Sequence, residues 1–204
     1  NRLDLITADS LDGMKLGVFS GTIYEKYAPE RYPNAQVLRY QSVPDIVLAL
    51  KQDKIDAAIL NYFSGKMMAE MNPALATIPL EDEVLKCQMG IGFSKKSDDL
   101  RIRFNRYLAG MKADGSLDRL KEKWFEGNLD AVKMEVDKPE NPSEKAVLAV
   151  SIADLPYVEY RNGEYVGFDV ELIKGFAARE NIDLEIISIE FSGLIAALSA
   201  GKVD

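Results

Sequence analysis

Short apolar runs closed off by turn residues alternate with stretches of helical period along this chain. Lys15 to Phe19 is such a run, lying between Asp12-Gly13 and Ser20-Gly21-Thr22, and it reads as a buried strand. Tyr24 to Tyr32 predicts a helix stopped by Pro33, and Val37 to Tyr40 a second strand. Ser42-Val43-Pro44-Asp45 starts a helix: Ser42 or Val43 at the cap, Pro44 in the first turn, Asp45 at the positive end of the dipole. Ile46, Val47 and Leu50 form the buried stripe of that helix, and Ile55 to Leu60 is the next strand. The order β-α-β-α-β with short connections predicts a parallel sheet with right-handed crossovers.

Further on, a Met-rich helix spans Lys66 to Met71, followed by Pro73, Pro79 and the acidic run Glu81-Asp82-Glu83. Gln88 to Phe93 reads as a strand. Asp99 to Lys112 predicts an amphipathic helix with Leu100, Phe104, Tyr107, Leu108 and Met111 on one face. Asp114-Gly115 breaks it, and Ser116 caps a last helix through Trp124-Phe125 that Gly127 ends. Residues 128–146 lose apolar periodicity amid charges, Pro139, Asn141 and Pro142, and read as a linker. The alternation then restarts. Val147 to Ile152 is a strand, and Asn162-Gly163 turns a hairpin within Tyr157 to Phe168. Asp169 caps a helix to about Glu180, Leu184 to Ile189 is a strand, and Ser192 to Ala200 is a helix stopped by Gly201.

One stretch occurs twice. Leu48 to Asp56 (LALKQDKID) is similar to Ala196 to Asp204 (AALSAGKVD), each a helix end turning through Lys and a β-branched residue to Asp. Two lobes of like topology are predicted, the second cut where its strand should start.

Composition removes several function classes. Hydrophobic residues make up 47% and charged residues 28%, as in ordinary globular proteins. With 25 Lys+Arg against 33 Asp+Glu the net charge is −8, which lacks the basic face that nucleic acid requires. The absence of histidine removes His-dependent triads and His metal ligands, and the single Cys87 makes neither an internal disulfide nor a Cys-rich zinc site. No cofactor is implied. No apolar run reaches the ~18–20 residues that span a bilayer, and Asn1 to Ser10 does not read as a signal peptide.

Several segments carry a family likeness. Leu11-Asp12-Gly13-Met14-Lys15-Leu16-Gly17-Val18 with Ser20-Gly21-Thr22, Lys54-Ile55-Asp56-Ala57-Ala58, and Lys112-Ala113-Asp114-Gly115-Ser116 through Lys123-Trp124-Phe125 form one group. Val166-Gly167-Phe168-Asp169-Val170 and Phe191-Ser192-Gly193-Leu194-Ile195 through Gly201-Lys202-Val203-Asp204 form another. Together they resemble the family-3 extracellular solute-binding proteins, the polar amino-acid receptors of ABC transporters. The resemblance implies an α/β fold of the type II periplasmic-binding-protein kind: bilobal, with parallel-sheet β-α-β lobes, here incomplete or permuted. It implies lobe two in residues 1–83, a return segment in 84–127 packing on lobe one, a linker in 128–146, and the first half of a following lobe one in 147–204. The second half of one receptor thus precedes the first half of another, as in tandem modules. Alternatively, 84–127 and 147–204 assemble lobe one within this chain or between chains.

The same resemblance nominates binding residues. Ser20-Gly21-Thr22 stands after a strand and before a helix, where free N–H groups and the Thr hydroxyl can hold a carboxylate; an ordinary β-α turn uses the same residues. Phe19 occupies a position where relatives often place a polar or basic ligand contact, and it cannot pair a charge. Asn61 falls at the family's ammonium-binding Asp, without its charge. Ile152 stands for another usual Asp and Leu155 for a stacking aromatic. Tyr157 is a candidate aromatic wall, and Phe191 matches an aromatic that packs on ligand side chains. The carboxylate-clamping arginine belongs to a stretch that would follow Asp204.

No catalytic residue is nominated: without His or a convergent carboxylate pair, an enzyme on this fold is disfavoured. The expected role is an extracytoplasmic, amino-acid-like solute-binding module of an ABC-type transport system, tethered at the membrane through its parent protein. The alternative is the sensing domain of a transmembrane kinase or cyclase. The expected partners are a small-molecule ligand and a permease or signalling domain on the same or another polypeptide.

Overall fold

The structure is a computed structural model that describes residues 7–80, 85, 89–129, 131–136, 138–152 and 156–204. They divide into two units, Asn1–Met89 and Gly90–Asp204.

In the first unit, β1 (Lys15–Phe19) lies between β2 (Gln36–Tyr40) and β3 (Ala57–Ile59), all three parallel. The crossovers are α1 (Tyr24–Arg31) and α2 (Val43–Lys51), and α3 (Tyr62–Met71) follows the last strand. A central parallel strand is covered on both faces. Accordingly Leu16 and Val18 are fully buried and pack with Tyr27, Ala28 and Tyr32. On the other face Ile46, Ala49, Ile55 and Met68 form a second cluster. Ser42 caps α2, its hydroxyl accepting the Asp45 N–H at 3.2 Å, with Pro44 in the first turn.

In the second unit, α4 (Asp98–Ala113) and α5 (Ser116–Lys121) precede β4 (Glu144–Val150). Next come the antiparallel hairpin of β5 (Glu159–Arg161) and β6 (Glu164–Val166), then α6 (Phe168–Glu180), β7 (Ile182–Ser188) and α7 (Leu194–Ser199). β4 and β7 are parallel, register Glu144↔Ile182 to Val150↔Ser188. Asn162 and Gly163 both have positive φ (53° and 89°), as a tight two-residue hairpin turn demands.

Leu100, Phe104 and Leu117 share one core with Leu172, Ile173, Phe176 and Ile182. Phe104 is its aromatic centre, 5.3 Å edge-on from Phe176 and 5.6 Å from Phe93. Two charge groups tie the same elements together. Arg103 of α4 reaches Asp99, Glu144 at the start of β4 and Glu180 at the end of α6. Glu171 of α6, 8% exposed, accepts from Lys123 Nζ and Trp124 Nε1, both at 2.7 Å. A π-helical turn, Glu122–Glu126, carries Lys123 and buried Trp124.

The repeated stretch folds the same way twice. Asp53 (φ 54°) and Gly201 (φ 65°) take the left-handed conformation that ends α2 and α7. Lys54 N–H then returns to the Ala49 carbonyl (2.9 Å) and Lys202 N–H to that of Ala197 (3.1 Å). Asp56 closes on the first residue of β1: its N–H donates to the Lys15 carbonyl (2.8 Å) and its carboxylate accepts the Lys15 N–H (2.9 Å). Asp204 does the same to Val147, at 3.0 and 2.9 Å.

Several boundaries differ from expectation. α3 starts at Tyr62 rather than Lys66, because Asn61 caps it. β4 starts at Glu144, three residues inside the expected linker, since its ladder with β7 runs from Ile182, itself two residues early. Asp169 lies inside α6, whose cap is Gly167 (φ 130°); a Cβ there would fall 2.1 Å from the Tyr157 carbonyl oxygen. Gly115, not Ser116, caps α5. Met89 to Phe93 form no strand: of that stretch and its neighbour, Ser94 alone among the described residues has a backbone bond, to the Asp204 carbonyl (2.7 Å). Alternating apolar side chains do not make a strand without a ladder partner. Glu81-Asp82-Glu83, Cys87, Gln88 and Leu155 lie outside the described residues. Among the described residues no helix is long and apolar enough to cross a membrane.

Candidate functional site

Parallel α/β sheets offer ligands the carboxyl ends of their strands. At that edge of the first unit stand the β1–α1 turn, Ser20 to Thr22, and Asn61 after β3. The turn is closed by internal bonds. Ser20 is buried and its N–H extends the ladder to the Tyr40 carbonyl (2.9 Å). Gly21 N–H donates to Glu25 Oε2 (2.9 Å), and the Thr22 hydroxyl donates to the Phe19 carbonyl (2.6 Å). Arg39 of β2 pairs with the other Glu25 oxygen. The Gly21 N–H, and after it the Arg39 guanidinium, hold the Glu25 carboxyl below its ordinary range. An acid of the chain itself therefore occupies the donor proposed for a ligand carboxylate. Glu25 and Arg39 escaped the sequence reading; the spacing of Gly21 and Glu25, one helical turn, was the available signal.

Asn61 is likewise engaged. Its Oδ1 accepts the Ser64 N–H and its Nδ2 donates to the Ser64 hydroxyl, both at 2.9 Å. Phe19 is half-buried and packs with the cluster around Ile46 and Ile55. Exposed Tyr62, 69% accessible, stands edge-on to Phe63 beside the cap.

In the second unit, Ile152 follows β4 and Phe191 follows β7, so both stand at the carboxyl edge of that sheet, 45% and 39% accessible. Ile152, where the resemblance implies a charged residue, is apolar. Tyr157 turns inward: its ring packs against Phe125 (5.5 Å), which packs against Phe168 (5.2 Å). It belongs to the buried group with Val150, Val158 and Val170 rather than to an open wall.

Asp169 follows Phe168, its N–H donating to the Tyr157 carbonyl (3.3 Å), and burial pushes its carboxyl up to about 6 from 3.8. A raised carboxyl pKa means that the folded chain binds the proton more tightly than the unfolded chain. That contribution to stability is present below the ordinary value and is lost as pH rises through about 6. Asp169→Asn is expected to flatten the fall in stability across this window by about 1–2 kcal/mol. Melting curves at about pH 4.5, between the two pKa values, and about pH 7.5, above both, measure it, and an equal change in stability between them for the two proteins would remove Asp169 as the source.

The comparisons agree with this architecture. The family of bacterial extracellular solute-binding proteins, family 3, matches residues 22–127 and 147–204. The chain belongs to that family. It is similar to the L-cystine-binding protein TcyJ of Escherichia coli (31% identity over 120 residues, 58% of this chain and 44% of the relative). It is also similar to the probable histidine-binding protein of Campylobacter jejuni (34% over 129 residues, 61% and 48%). A third is the ABC transporter arginine-binding protein 1 of Escherichia coli (27% over 122 residues, 58% and 50%). The chain spans about half the length of the curated relatives it matches.

Proposed function

We propose that the chain is an extracytoplasmic, amino-acid-like solute-binding module that serves an ABC-type permease. The observation that carries this is the match of both units to one receptor family, with Asn61 in one unit and Ile152 and Phe191 in the other standing at the carboxyl ends of parallel strands. The relatives bind cystine, arginine and histidine by name. The order of the motifs supports a module joined to a second receptor module, 90–204 acting as lobe one, and held at the membrane through the parent polypeptide.

Recognition of free zwitterions is weak in this reading. A buried zwitterion needs both charges paired, and an unpaired buried charge costs several kcal/mol. Neither Asn61 in one unit nor Ile152 in the other carries a charge, and Glu25 already holds the Gly21 N–H. A turn of this kind supplies about 1–2 kcal/mol to an anion, too little to offset desolvation of both charges. The preferred ligand is therefore a less charged amino-acid derivative with both its ammonium and its carboxylate masked, such as an N-acyl amino-acid amide. Calorimetric titration with the twenty amino acids and their N-acetyl amides tests both levels. Micromolar 1:1 binding of a free amino acid would overturn the ligand preference. Failure of every solute, derivatives included, would overturn the binding function.

A further inference from the structure

Asn162-Gly163 is the one Asn-Gly pair of the sequence, and both residues are exposed. They form the whole turn of the β5–β6 hairpin, whose register is Glu159↔Val166, Tyr160↔Tyr165 and Arg161↔Glu164. Their φ angles, 53° and 89°, match the values of about 60° and 90° in a type I′ turn. A Cβ built on Gly163 would meet nothing within 4 Å, so its nitrogen is uncrowded. Such a pair carries a reaction of its own. The Gly163 nitrogen attacks Asn162 Cγ and closes a five-membered succinimide. The N–Cγ bond forms, the Cγ–Nδ2 bond breaks, and ammonia leaves with the proton that Gly163 gives up. Water then opens the ring at either carbonyl, yielding aspartate or isoaspartate. The closed turn opposes the first step. In type I′ geometry the first central residue has ψ of about 30°, which sets the Gly163 nitrogen nearly opposite Cβ about the Cα–C bond. Ring closure needs the two on the same side. The hairpin is also held shut. The Tyr160 and Tyr165 rings lie 4.9 Å apart, Arg161 Nη1 donates to the Leu129 carbonyl (3.0 Å), and Lys174 reaches Glu164 (3.4 Å).

We propose that Asn162 is a deamidation site, withheld while the hairpin is closed and released when it opens. The two products then differ in structure. Aspartate keeps the turn, because Asp-Gly suits type I′ as well as Asn-Gly does. Isoaspartate runs the main chain through the former side chain and lengthens it by one atom, so the two-residue turn no longer joins Arg161 to Glu164 in register. The hairpin leads into Gly167, the cap of α6, which sits against the Tyr157 carbonyl. Loss of pairing in β5 and β6 therefore reaches the start of that helix. The proposal rests on the turn and is independent of which solute the chain binds.

The full chain is incubated in mildly alkaline buffer, folded and in urea, at matched pH and temperature. Conversion of each asparagine is followed by mass spectrometry of proteolytic peptides, and isoaspartate by labelling with an isoaspartyl methyltransferase. In urea, Asn162 is expected to convert before any other asparagine. In the folded chain it is expected to convert at least about tenfold more slowly, as for a hairpin open no more than about a tenth of the time. The isoaspartyl product, separated by ion exchange, is expected to show faster amide exchange in β5 and β6 than the parent, whereas Asn162→Asp keeps the parent's protection. Another asparagine converting first in urea overturns the site. Equal rates in the folded and urea-unfolded chains overturn the control by the turn, and an isoaspartyl product with the parent's protection overturns the structural consequence.

Discussion

Phe104→Ala is expected to destabilise the second unit by about 3–5 kcal/mol. The ring is 3% exposed and touches Phe93, Tyr107 and Phe176 at once. Its removal takes away the transfer free energy of a whole ring and leaves a cavity between a helix from residues 98–113 and one from 168–180. Trp124 is the single tryptophan of the chain, so urea unfolding followed by its fluorescence reads this unit alone. A loss below about 1 kcal/mol would mean that α4 does not depend on α6.

Glu171→Ala is expected to cost about 2–4 kcal/mol by the same measurement, with Glu171→Gln intermediate. The carboxylate is buried and both its oxygens are used, one by an ammonium and one by an indole N–H. Alanine leaves Trp124 Nε1 unsatisfied in a 1% exposed side chain and Lys123 without its counter-charge. Glutamine keeps one acceptor oxygen, so it restores the indole bond or the lysine contact but not both at full strength. Equal stability of Glu171→Ala and the parent would show that this pair is replaced by water at little cost.

The parallel β-α-β pattern was legible because each piece declares itself locally. The runs around Val18, Val37 and Ile59 are apolar, and the caps at Ser42 and Gly201 lie next to the helices they limit. What failed depends on partners far along the chain. Met89, Ile91 and Phe93 alternate as strand residues should, yet among the described residues the backbone there has no ladder partner. Glu171 and Trp124 are 47 residues apart, and nothing in either neighbourhood announces the bond. The candidate site shows the same division. Sequence located Ser20 to Thr22 and Asn61 at strand ends, since that follows from the order of elements. It did not reveal that Glu25 and Ser64 already consume their polar groups, a matter of side-chain direction. The inward turn of Tyr157 belongs to the same class, being set by Phe125 and Phe168.

The paired bonds from Asp56 to Lys15, and from Asp204 to Val147, bear on how the strands are assembled. They join residues 41 and 57 positions apart. Each is a two-point latch: backbone N–H and carboxylate must both reach one residue of the neighbouring strand, Lys15 at the start of β1 and Val147 within β4. A strand arriving one residue out of step keeps generic ladder bonds but loses the latch, and its apolar side chains turn to the wrong face. The latch therefore favours the native register over a shifted one by the two bonds that only the native alignment makes.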